Sequence, residues 1–290
     1  MQAEGTVGKE KDKATDKATG KRIRRVGIRL LLLVLFFSLW SWIPVTEQLE
    51  VDLLEGDDAC VRLVLITDLH SCYYGRGQKT LIRMVEKARP DIVMLGGDFF
   101  DDRLADDNAR ITAEVLAQKY PCYYVTGNHE YWSGRADEMK DYLRELGITV
   151  LEGECDSISV NGCLLDVCGV DDPTYIGERL WKTQIEQAFA QTDESHLRIL
   201  LSHRPEKGNI YAQYDFDLIL AGHAHAGQFR IPFLNEGVWA PDQGLLAKYV
   251  NGLYELSNGS IMEVSRGLAR ESTPLPRFFN HPEIVAIEIR

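Results

Sequence analysis

The sequence has little positive charge beyond its first 29 residues. It contains 32 lysines and arginines against 44 aspartates and glutamates, which gives a formal net charge of −12 at pH 7. Residues 1–29 hold nine basic and four acidic residues, so the other 261 residues carry 23 basic and 40 acidic side chains. Such a chain lacks the basic surface on which nonspecific nucleic-acid binding depends. We therefore expect no nucleic-acid partner, and an anionic substrate would need positive charge from bound cations.

Cysteine is also scarce. The sequence has neither an evident internal repeat nor an interior linker. A chain of 290 residues with 45% hydrophobic content and six cysteines can form a large core without a disulfide framework. A two-residue turn at Asn161-Gly162 would nevertheless place Cys155 opposite Cys168. In that non-hydrogen-bonded position the Cα atoms lie roughly 4.5 Å apart, at the short end of the disulfide range. We therefore predict a bridge between these two cysteines.

Near the N-terminus, the longest apolar run is only fourteen residues long, from Leu30 to Ile43. That length suits the core of a signal peptide, but including residues 26–29, with Arg29 snorkelling, reaches the length of a span. No small-x-small cleavage site follows it. We expect residues 1–25 to be a disordered basic cytoplasmic tail and residues 26–44 a transmembrane or signal-anchor helix. A cleaved signal and a buried or monotopic helix remain alternatives.

The charges on either side of this helix predict its orientation. Basic residues precede it and acidic residues follow it, which favours a cytoplasmic N-terminus. The expected location is the cell membrane, with a single pass and with the domain that follows the helix outside the cytoplasm.

The remaining residues, 51–290, are expected to form one domain of the α/β class. Strand-like and helix-like segments alternate in its first half, which favours a largely parallel sheet covered by helices. The second half is richer in strands and has hairpin signals at Asn161-Gly162 and Asn258-Gly259. The predicted strands are 61–67, 91–97, 121–127, 156–160, 163–167, 197–202, 217–222 and 283–289, and the predicted helices are 80–88, 108–119, 136–146 and 177–191.

Most residues that could bind a metal lie in five short segments, each placed where a predicted strand stops. Open α/β sheets place their functional sites in loops at the carboxyl ends of their strands. Five of the seven histidines fall in these segments. The segments are Asp68-Leu69-His70, Gly97-Asp98-Phe99-Phe100-Asp101, Gly127-Asn128-His129-Glu130, Ser202-His203 and Gly222-His223-Ala224-His225.

Imidazole and carboxylate groups together form a mixed nitrogen and oxygen ligand set. Such a set suits borderline divalent metals such as Mn, Fe or Zn. One carboxylate can bridge two cations that lie roughly 3.5–4 Å apart, and the pair can then deprotonate a shared water. The sequence therefore predicts a site for two divalent metal ions (Mn, Fe or Zn).

The order and spacing of these segments resemble those of the calcineurin-like metallophosphoesterases. The blocks D-x-H, G-D-x-x-D, G-N-H-E, S-H and G-H-x-H extend roughly from Val61 to Gln228. Flanking residues, including Glu130-Tyr131-Trp132 and Ser265-Arg266-Gly267-Leu268, are similar to those of the membrane-associated bacterial phosphodiesterase branch. The resemblance implies a four-layer α/β/β/α sandwich of two mixed sheets. It also implies a hydrolase that cleaves a phosphodiester or pyrophosphate by attack of a metal-bridging hydroxide.

The resemblance further implies a role for each residue in the blocks. His129 would face the substrate phosphate without binding a metal, and Asp101 would orient His129. The implied ligands are Asp68, His70 and His225 for one metal, Asn128, His203 and His223 for the second, and Asp98 as the bridge.

Several interpretations stay open at the level of sequence. The substrate is expected to be a phosphorylated small molecule or a lipid, and a UDP-2,3-diacylglucosamine pyrophosphatase-like lipid enzyme or a non-catalytic metal-bound scaffold is the alternative. Glu130 could support the site or form a surface ion pair. The aromatic residues beside the blocks could pack in the core or form an apolar rim that grips a lipid or a nucleoside; they are Tyr73, Tyr74, Phe99, Phe100, Tyr131 and Trp132.

Overall fold

Two six-stranded sheets form the centre of the computed structural model of the protein. The structure describes residues 4–54, 61–228, 230, 237, 239–272 and 277–290, with side chains from residue 22 onward. Both sheets are mixed, as the sequence analysis predicted.

The first sheet has the strand order β1-β14-β2-β3-β4-β5. Strands β2 to β5 are parallel neighbours, β14 pairs antiparallel with β2, and β1 adds parallel to β14 at the edge. β1 ends at Val51, the residue at which the domain is expected to begin, so the first sheet starts six residues earlier than the predicted boundary. The strands are β1 Val45–Val51, β2 Val61–Ile66, β3 Ile92–Gly96, β4 Cys122–Val125, β5 Thr149–Val150 and β14 Glu283–Ile289.

The second sheet has the order β12-β13-β9-β8-β7-β6, and β10 and β11 form a separate two-stranded hairpin. Strands β7, β8, β9 and β13 are parallel, while β6 and β12 pair antiparallel at the two edges. The strands are β6 Cys155–Val160, β7 Cys163–Gly169, β8 Leu197–Leu201, β9 Leu218–Ala221, β10 Trp239–Ala240, β11 Gly244–Leu245, β12 Gly252–Glu255 and β13 Ile261–Val264.

Three buried clusters show that the sheets stack face to face between two layers of helices. On β2, Val64 and Ile66 pack in a cluster with helical residues, whereas Leu63 and Leu65 pack between the two sheets. This alternation follows from the two-residue repeat of a strand. A third cluster joins the second sheet to helix residues such as Trp181. The helices are α2 Lys79–Ala88, α3 Asp107–Ala117, α4 Asn128–Trp132, α5 Ala136–Glu145, α6 Pro173–Ile176, α7 Glu178–Phe189 and α8 Gly208–Tyr211.

Helix α1, Glu4–Trp40, differs from what the sequence analysis predicted for the N-terminus. Residues 4–25, which lie within the tail expected to be disordered, belong to this helix. Among the described residues there is no helix long and apolar enough to cross a membrane. The predicted spanning helix over residues 26–44 is therefore not confirmed: Arg29 precedes the apolar stretch Leu30–Trp40, which is shorter than the roughly 20 residues of a span.

The predicted hairpin at Asn161-Gly162 is confirmed by the pairing of β6 with β7. Cys155 pairs with Cys168 in this register, and the structure joins them by a disulfide with a Cα–Cα distance of 4.0 Å. Asn161 and Gly162 both have positive φ, as their two-residue turn requires. The cysteine pairing predicted from the sequence is thus present in the structure.

Candidate metal centre

The five segments singled out in the sequence come together at one edge of the two stacked sheets. Asp68, Asp98 and Asn128 follow the parallel strands β2, β3 and β4 of the first sheet. His203 and His223 follow β8 and β9, which are parallel neighbours in the second sheet. Because parallel strands end at the same edge of a sheet, each sheet presents its polar loops on one side, and the face-to-face stacking brings the two sets together.

The loops adopt backbone conformations that are uncommon outside functional sites. Asp68, His70, Asp98, His223 and His225 all have φ between 47° and 64°. This left-handed region costs a residue other than glycine of order 1–3 kcal/mol. We infer that the fold accepts this strain in order to turn the five side chains inward.

Close backbone approach also explains two of the glycines in these segments. A Cβ added at Gly127 would lie 2.2 Å from Oδ1 of Asp98, and one added at Gly222 would lie 2.6 Å from Oδ2 of Asp68. Any larger residue would therefore displace one of the two carboxylates.

The side chains form groups that are close enough to hold metal ions. Asp68, His70 and His225 form one group, and Asp98, His203 and His223 form another. Asp98 also forms a group with His70 and His129. Its Oδ2 lies 3.6 Å from Nε2 of His70 and 3.1 Å from Nε2 of His203.

Buried polar atoms without hydrogen-bond partners point into this region. Burying a polar atom without a partner is costly, so a group of such atoms indicates a missing partner. Acceptors from six residues that the resemblance names as ligands converge here, which is a donor set that fits divalent cations. These atoms are Nε2 of His70, Oδ2 of Asp98, Oδ1 of Asn128, Nε2 of His203, Nδ1 of His223 and Nδ1 of His225.

Three of the histidines are held by their other ring nitrogen. Nδ1 of His70 lies 3.0 Å from Oδ1 of Asp101, and Nδ1 of His203 lies 2.8 Å from the carbonyl oxygen of Gly96. In His223 the hydrogen-bonded nitrogen is Nε2, which lies 2.9 Å from Oδ2 of Asp242. A hydrogen bond to one ring nitrogen leaves the other available as an acceptor, which is the usual arrangement of metal-binding histidines.

The pKa values of the buried carboxyl and imidazole groups indicate the charge of the centre. Burial opposes ionisation of Asp98, but His203 and neighbouring histidines outweigh it and lower the pKa of this carboxyl well below its ordinary value. Burial likewise opposes the charge on His203, yet Asp98 and Asp68 raise its pKa to about 10. Burial and nearby positive groups lower the pKa of His225 to about 3, so its imidazole is neutral. The ionised carboxylate of Asp98 and the neutral imidazole of His225 are in the protonation states that metal ligands require, whereas His203 must release its proton when a metal binds.

His129 and its acidic neighbours differ in detail from the arrangement implied by the resemblance. Nδ1 of His129 lies 2.7 Å from Oδ1 of Asp102 but 3.3 Å from Oδ1 of Asp101. The same oxygen of Asp101 lies closer to Nδ1 of His70, at 3.0 Å, so Asp101 contacts both histidines. Burial lowers the pKa of His129, but Asp101, Asp98 and Asp102 outweigh it and raise this pKa to about 9.

Glu130 supports the centre from beneath rather than forming a surface ion pair. Its buried carboxylate accepts backbone N–H groups of Asp98, Phe99, Phe100 and Gly127 at 2.7–3.1 Å. Burial and the nearby Asp98 raise the pKa of Glu130. Glu130 thereby fixes the loop that carries Asp98 against the loop that carries Asn128.

Sequence reasoning missed a further charged network behind His223. Nη1 of Arg204 lies 2.9 Å from Nε2 of His223 and also contacts Asp242. Nε of Arg204 donates to Asp172 at 2.5 Å. Arg204 directly follows the Ser202-His203 block, and this position could have indicated that it contributes to the site. Nothing in the sequence indicates a role for Asp242.

Asp102, which contacts His129, could have been identified only because it directly follows Asp101.

Beside the centre lies an open cleft of about 290 Å³. Apart from the polar groups at its base, it is lined by Trp132, Ala224, Trp239 and Pro241. The ring of Trp132 lies 4.7 Å from that of His129.

The predicted aromatic rim is only partly present. Tyr131, Trp132 and Tyr73 are exposed and so are available to a substrate or a surface. Tyr74, Phe99 and Phe100 are buried in the core, and for them the packing interpretation is correct.

A two-sheet α/β fold that gathers these side chains into one polar centre defines a metal-dependent phosphate-ester hydrolase. Residues 61–227 match the family description "calcineurin-like phosphoesterase". This match covers more than half of the chain, and the chain belongs to that family.

Several relatives of the chain are named as metallophosphoesterases. A metallophosphoesterase of Helicobacter pylori is 28% identical over 93% of this chain and 71% of its own length. A cattle transmembrane protein with a metallophosphoesterase domain is 30% identical over 79% of this chain and 53% of its own length. The metallophosphoesterase YkuE of Bacillus subtilis is 25% identical, with 79% of each chain covered. The chain thus spans about half of the cattle protein and larger shares of the bacterial ones.

Proposed function

We propose that this protein hydrolyses a phosphodiester or a pyrophosphate with the help of two divalent metal ions. The observation that carries the proposal is the convergence of unpartnered, buried acceptor atoms from loops of both sheets. In this proposal Asp68, His70 and His225 hold one ion, and Asn128, His203 and His223 hold the other. Asp98 lies between the two sets.

Each part of the centre then has a task. Bound metal ions would supply Lewis acidity toward the phosphoryl oxygens and activate water. His129, at the edge of the cleft, faces the substrate and donates a proton to the leaving oxygen or stabilises the charge that develops. Its Nδ1 is held by Asp102, which leaves Nε2 directed away from that carboxylate. Asp101 positions His70.

Hydrolysis of bis-p-nitrophenyl phosphate tests this proposal directly. The purified chain should hydrolyse it in the presence of Mn²⁺, Fe²⁺ or Zn²⁺, lose activity with a chelator and regain it when metal returns. About two metal ions per chain are expected in elemental analysis. A metal-loaded protein without activity on mono- and diesters would instead favour the scaffold alternative.

His129→Asn separates the proposed acid from the ligands. It should retain the metal content of the wild type but lose about a hundredfold or more in kcat, the usual contribution of a general acid. If this variant loses its metal, His129 is a ligand and the assignment of roles is wrong.

We further propose that the protein is attached to a membrane through α1 and that its catalytic domain faces an oxidising compartment. The side chains of Leu30–Leu39 are mostly exposed to solvent, and an apolar helix surface of this kind is normally buried against protein or lipid. The disulfide between Cys155 and Cys168 is typical of proteins outside the cytoplasm. The name of the cattle relative also supports membrane attachment.

Two measurements test the attachment and the location. Cell fractionation should place the protein with membranes. Thiol titration of the oxidised, denatured protein should find no more than four reactive thiols among its six cysteines. Six reactive thiols would contradict the bridge and remove the support for an extracytoplasmic location.

A further inference from the structure

The hairpin formed by β10 and β11 presents apolar side chains to solvent. Trp239 pairs with Leu245 across the two strands, so their side chains are neighbours. Leu246 follows directly, and the relative exposures of Leu245 and Leu246 are 74% and 71%. Trp239 is also exposed, although it lines the cleft. We call residues 239–246 the apolar hairpin.

The turn of the apolar hairpin is tied to the metal centre. Asp242, between the two strands, lies 2.9 Å from Nε2 of His223 and contacts Arg204. Pro241 and Trp239 form part of the cleft wall. A force on the apolar hairpin would therefore act directly on a candidate metal ligand and on the width of the cleft.

A second apolar surface reaches the same loop from another direction. Phe279 packs against Phe37 of α1, with ring centroids 4.6 Å apart, and against Trp40. The next residue, Asn280, donates to the carbonyl oxygens of His225 and Gln228. The apolar hairpin contacts His223, and Asn280, which follows the residue that packs on α1, contacts the His225 backbone. Both surfaces are therefore connected to one metal-binding loop.

Charge indicates what covers these surfaces. Arg22, Arg24, Arg25 and Arg29 are exposed on α1 immediately before its apolar stretch. Clusters of basic residues beside an apolar helix favour anionic lipid surfaces, with each basic residue contributing about 1 kcal/mol. The same four arginines would repel one another at an interface between two copies of the chain.

We propose that the apolar hairpin and α1 dock together on an anionic lipid bilayer, so that the cleft takes the phosphate ester of a lipid from that surface. This inference rests on the proposed hydrolytic function and names its substrate class. Trp132 and Trp239 form apolar walls suited to the non-phosphate part of such a lipid. Docking of the apolar hairpin keeps Asp242 against His223 while the substrate enters.

The test uses the full chain with vesicles of phosphatidylcholine and phosphatidylglycerol, with and without brominated acyl chains. Brominated lipid should quench Trp239, measured as the difference in quenching between the wild type and Trp239→Phe. The double variant Leu245→Glu, Leu246→Glu should lose this quenching, because inserting two charges into the bilayer outweighs the burial of two leucines. The control Leu180→Glu changes a leucine of α7 that is also exposed, at 51%, and should behave as the wild type.

Turnover distinguishes this inference from the proposed function. The double variant should hydrolyse soluble bis-p-nitrophenyl phosphate at the wild-type rate but a vesicle-borne phosphatidyl ester at least about tenfold more slowly, as expected for losing the burial of one leucine or more. If the wild type hydrolyses neither substrate, the proposed function fails.

Two results would overturn the inference while leaving the hydrolytic function intact. One is that vesicles bind the wild type without quenching Trp239, which would mean that α1 alone makes the contact. The other is that the double variant slows both substrates equally or neither, or that a soluble nucleotide diester is preferred to the vesicle-borne ester.

Discussion

Asp98 and Glu263 are both buried carboxyl groups with oxygens that lack hydrogen-bond partners, but their neighbours drive their charges in opposite directions. Burial opposes the ionisation of Asp98, yet histidines around it lower its pKa well below the ordinary value. At Glu263, on β13, burial together with Glu283 and Glu47 raises the pKa well above the ordinary value, and the nearby Arg266 does not offset them.

This difference teaches that an unpartnered buried carboxyl group is not by itself a metal site. Asp98 has imidazole nitrogens on two sides and lies where loops from both sheets meet. Glu263 lies inside a strand and belongs to no group of potential metal ligands among the described residues. Asp98 is therefore an ionised carboxylate in a position where a cation can bind, whereas Glu263 is neutral because it keeps its proton.

The largest expected effect comes from neutralising Asp98. Asp98→Asn removes the carboxylate shared by the two groups of ligands, so metal binding weakens and the hydrolysis of bis-p-nitrophenyl phosphate falls by about a thousandfold or more. Asp107→Asn, on the exposed start of α3, should keep full activity. An Asp98→Asn variant with full metal content and activity would show that Asp98, like Glu263, is not a metal ligand.

A smaller effect should separate the two acids beside the histidines. Asp102→Asn should lower kcat about 10–100-fold at unchanged metal content, because Asp102 holds His129. Asp101→Asn should instead weaken metal affinity by about 10–100-fold, because Asp101 holds His70. Metal titration and kcat measured on both variants decide the matter, and exchanged outcomes would show that Asp101 is the residue that orients His129.

Glu263→Gln should show the opposite behaviour to Asp98→Asn, with normal activity and altered stability. The folded state binds the proton of Glu263 more tightly than the unfolded chain does, so the wild type loses stability as pH rises above the ordinary pKa of 4.5. Glutamine keeps the shape but cannot ionise. The variant should match the wild type near pH 5 and exceed it by about 1–3 kcal/mol at pH 8 in urea unfolding.

Glu255→Gln, on the exposed strand β12, is the matched control and should show no such pH dependence. A Glu263→Gln variant that is less stable than the wild type at pH 8 would mean that Glu263 is ionised and paired in the folded protein.

The smallest effect is expected at a histidine–aspartate pair outside the metal centre. Nδ1 of His196 lies 2.8 Å from Oδ1 of Asp166, and this hydrogen bond raises the pKa of His196. The contribution to stability is complete below the ordinary histidine pKa of 6.5 and disappears as pH rises through the raised value. His196→Asn should thus destabilise slightly at pH 6, less at pH 9, and leave metal content unchanged. If His196→Asn loses more stability at pH 9 than at pH 6, the contribution of the His196–Asp166 pair does not depend on the charge of the imidazole.

The metal centre was predictable from sequence because its residues sit in short blocks at the ends of strands. The βα order predicts that the strands before Asp68 and Asp98 end at one edge of a sheet, whereas His223 follows a strand of the second sheet and joins them through the stacking of the two sheets. Apolar runs and hydrophobic periodicity likewise predicted many of the core strands and helices, because both are local features of the sequence.

Other contacts could not be predicted, because they depend on long-range geometry. The choice of His129 between Asp101 and Asp102 depends on how one loop turns, and the two residues are chemically identical neighbours. Asp242 reaches His223 only through the placement of the apolar hairpin. Helix α1 shows a third limit, because low hydrophobicity argues against tertiary packing but does not exclude helix formation.

The pairing of β1 with β14 has a practical consequence for preparing the protein. A shortened chain that begins at residue 51 would remove β1 and leave seven residues of β14 as a bare edge. β14 is rich in isoleucine and valine, and an unpaired apolar edge recruits strands from other molecules. A chain that begins at Val45 would keep this edge covered, and we expect it to remain soluble at concentrations where the shorter chain precipitates.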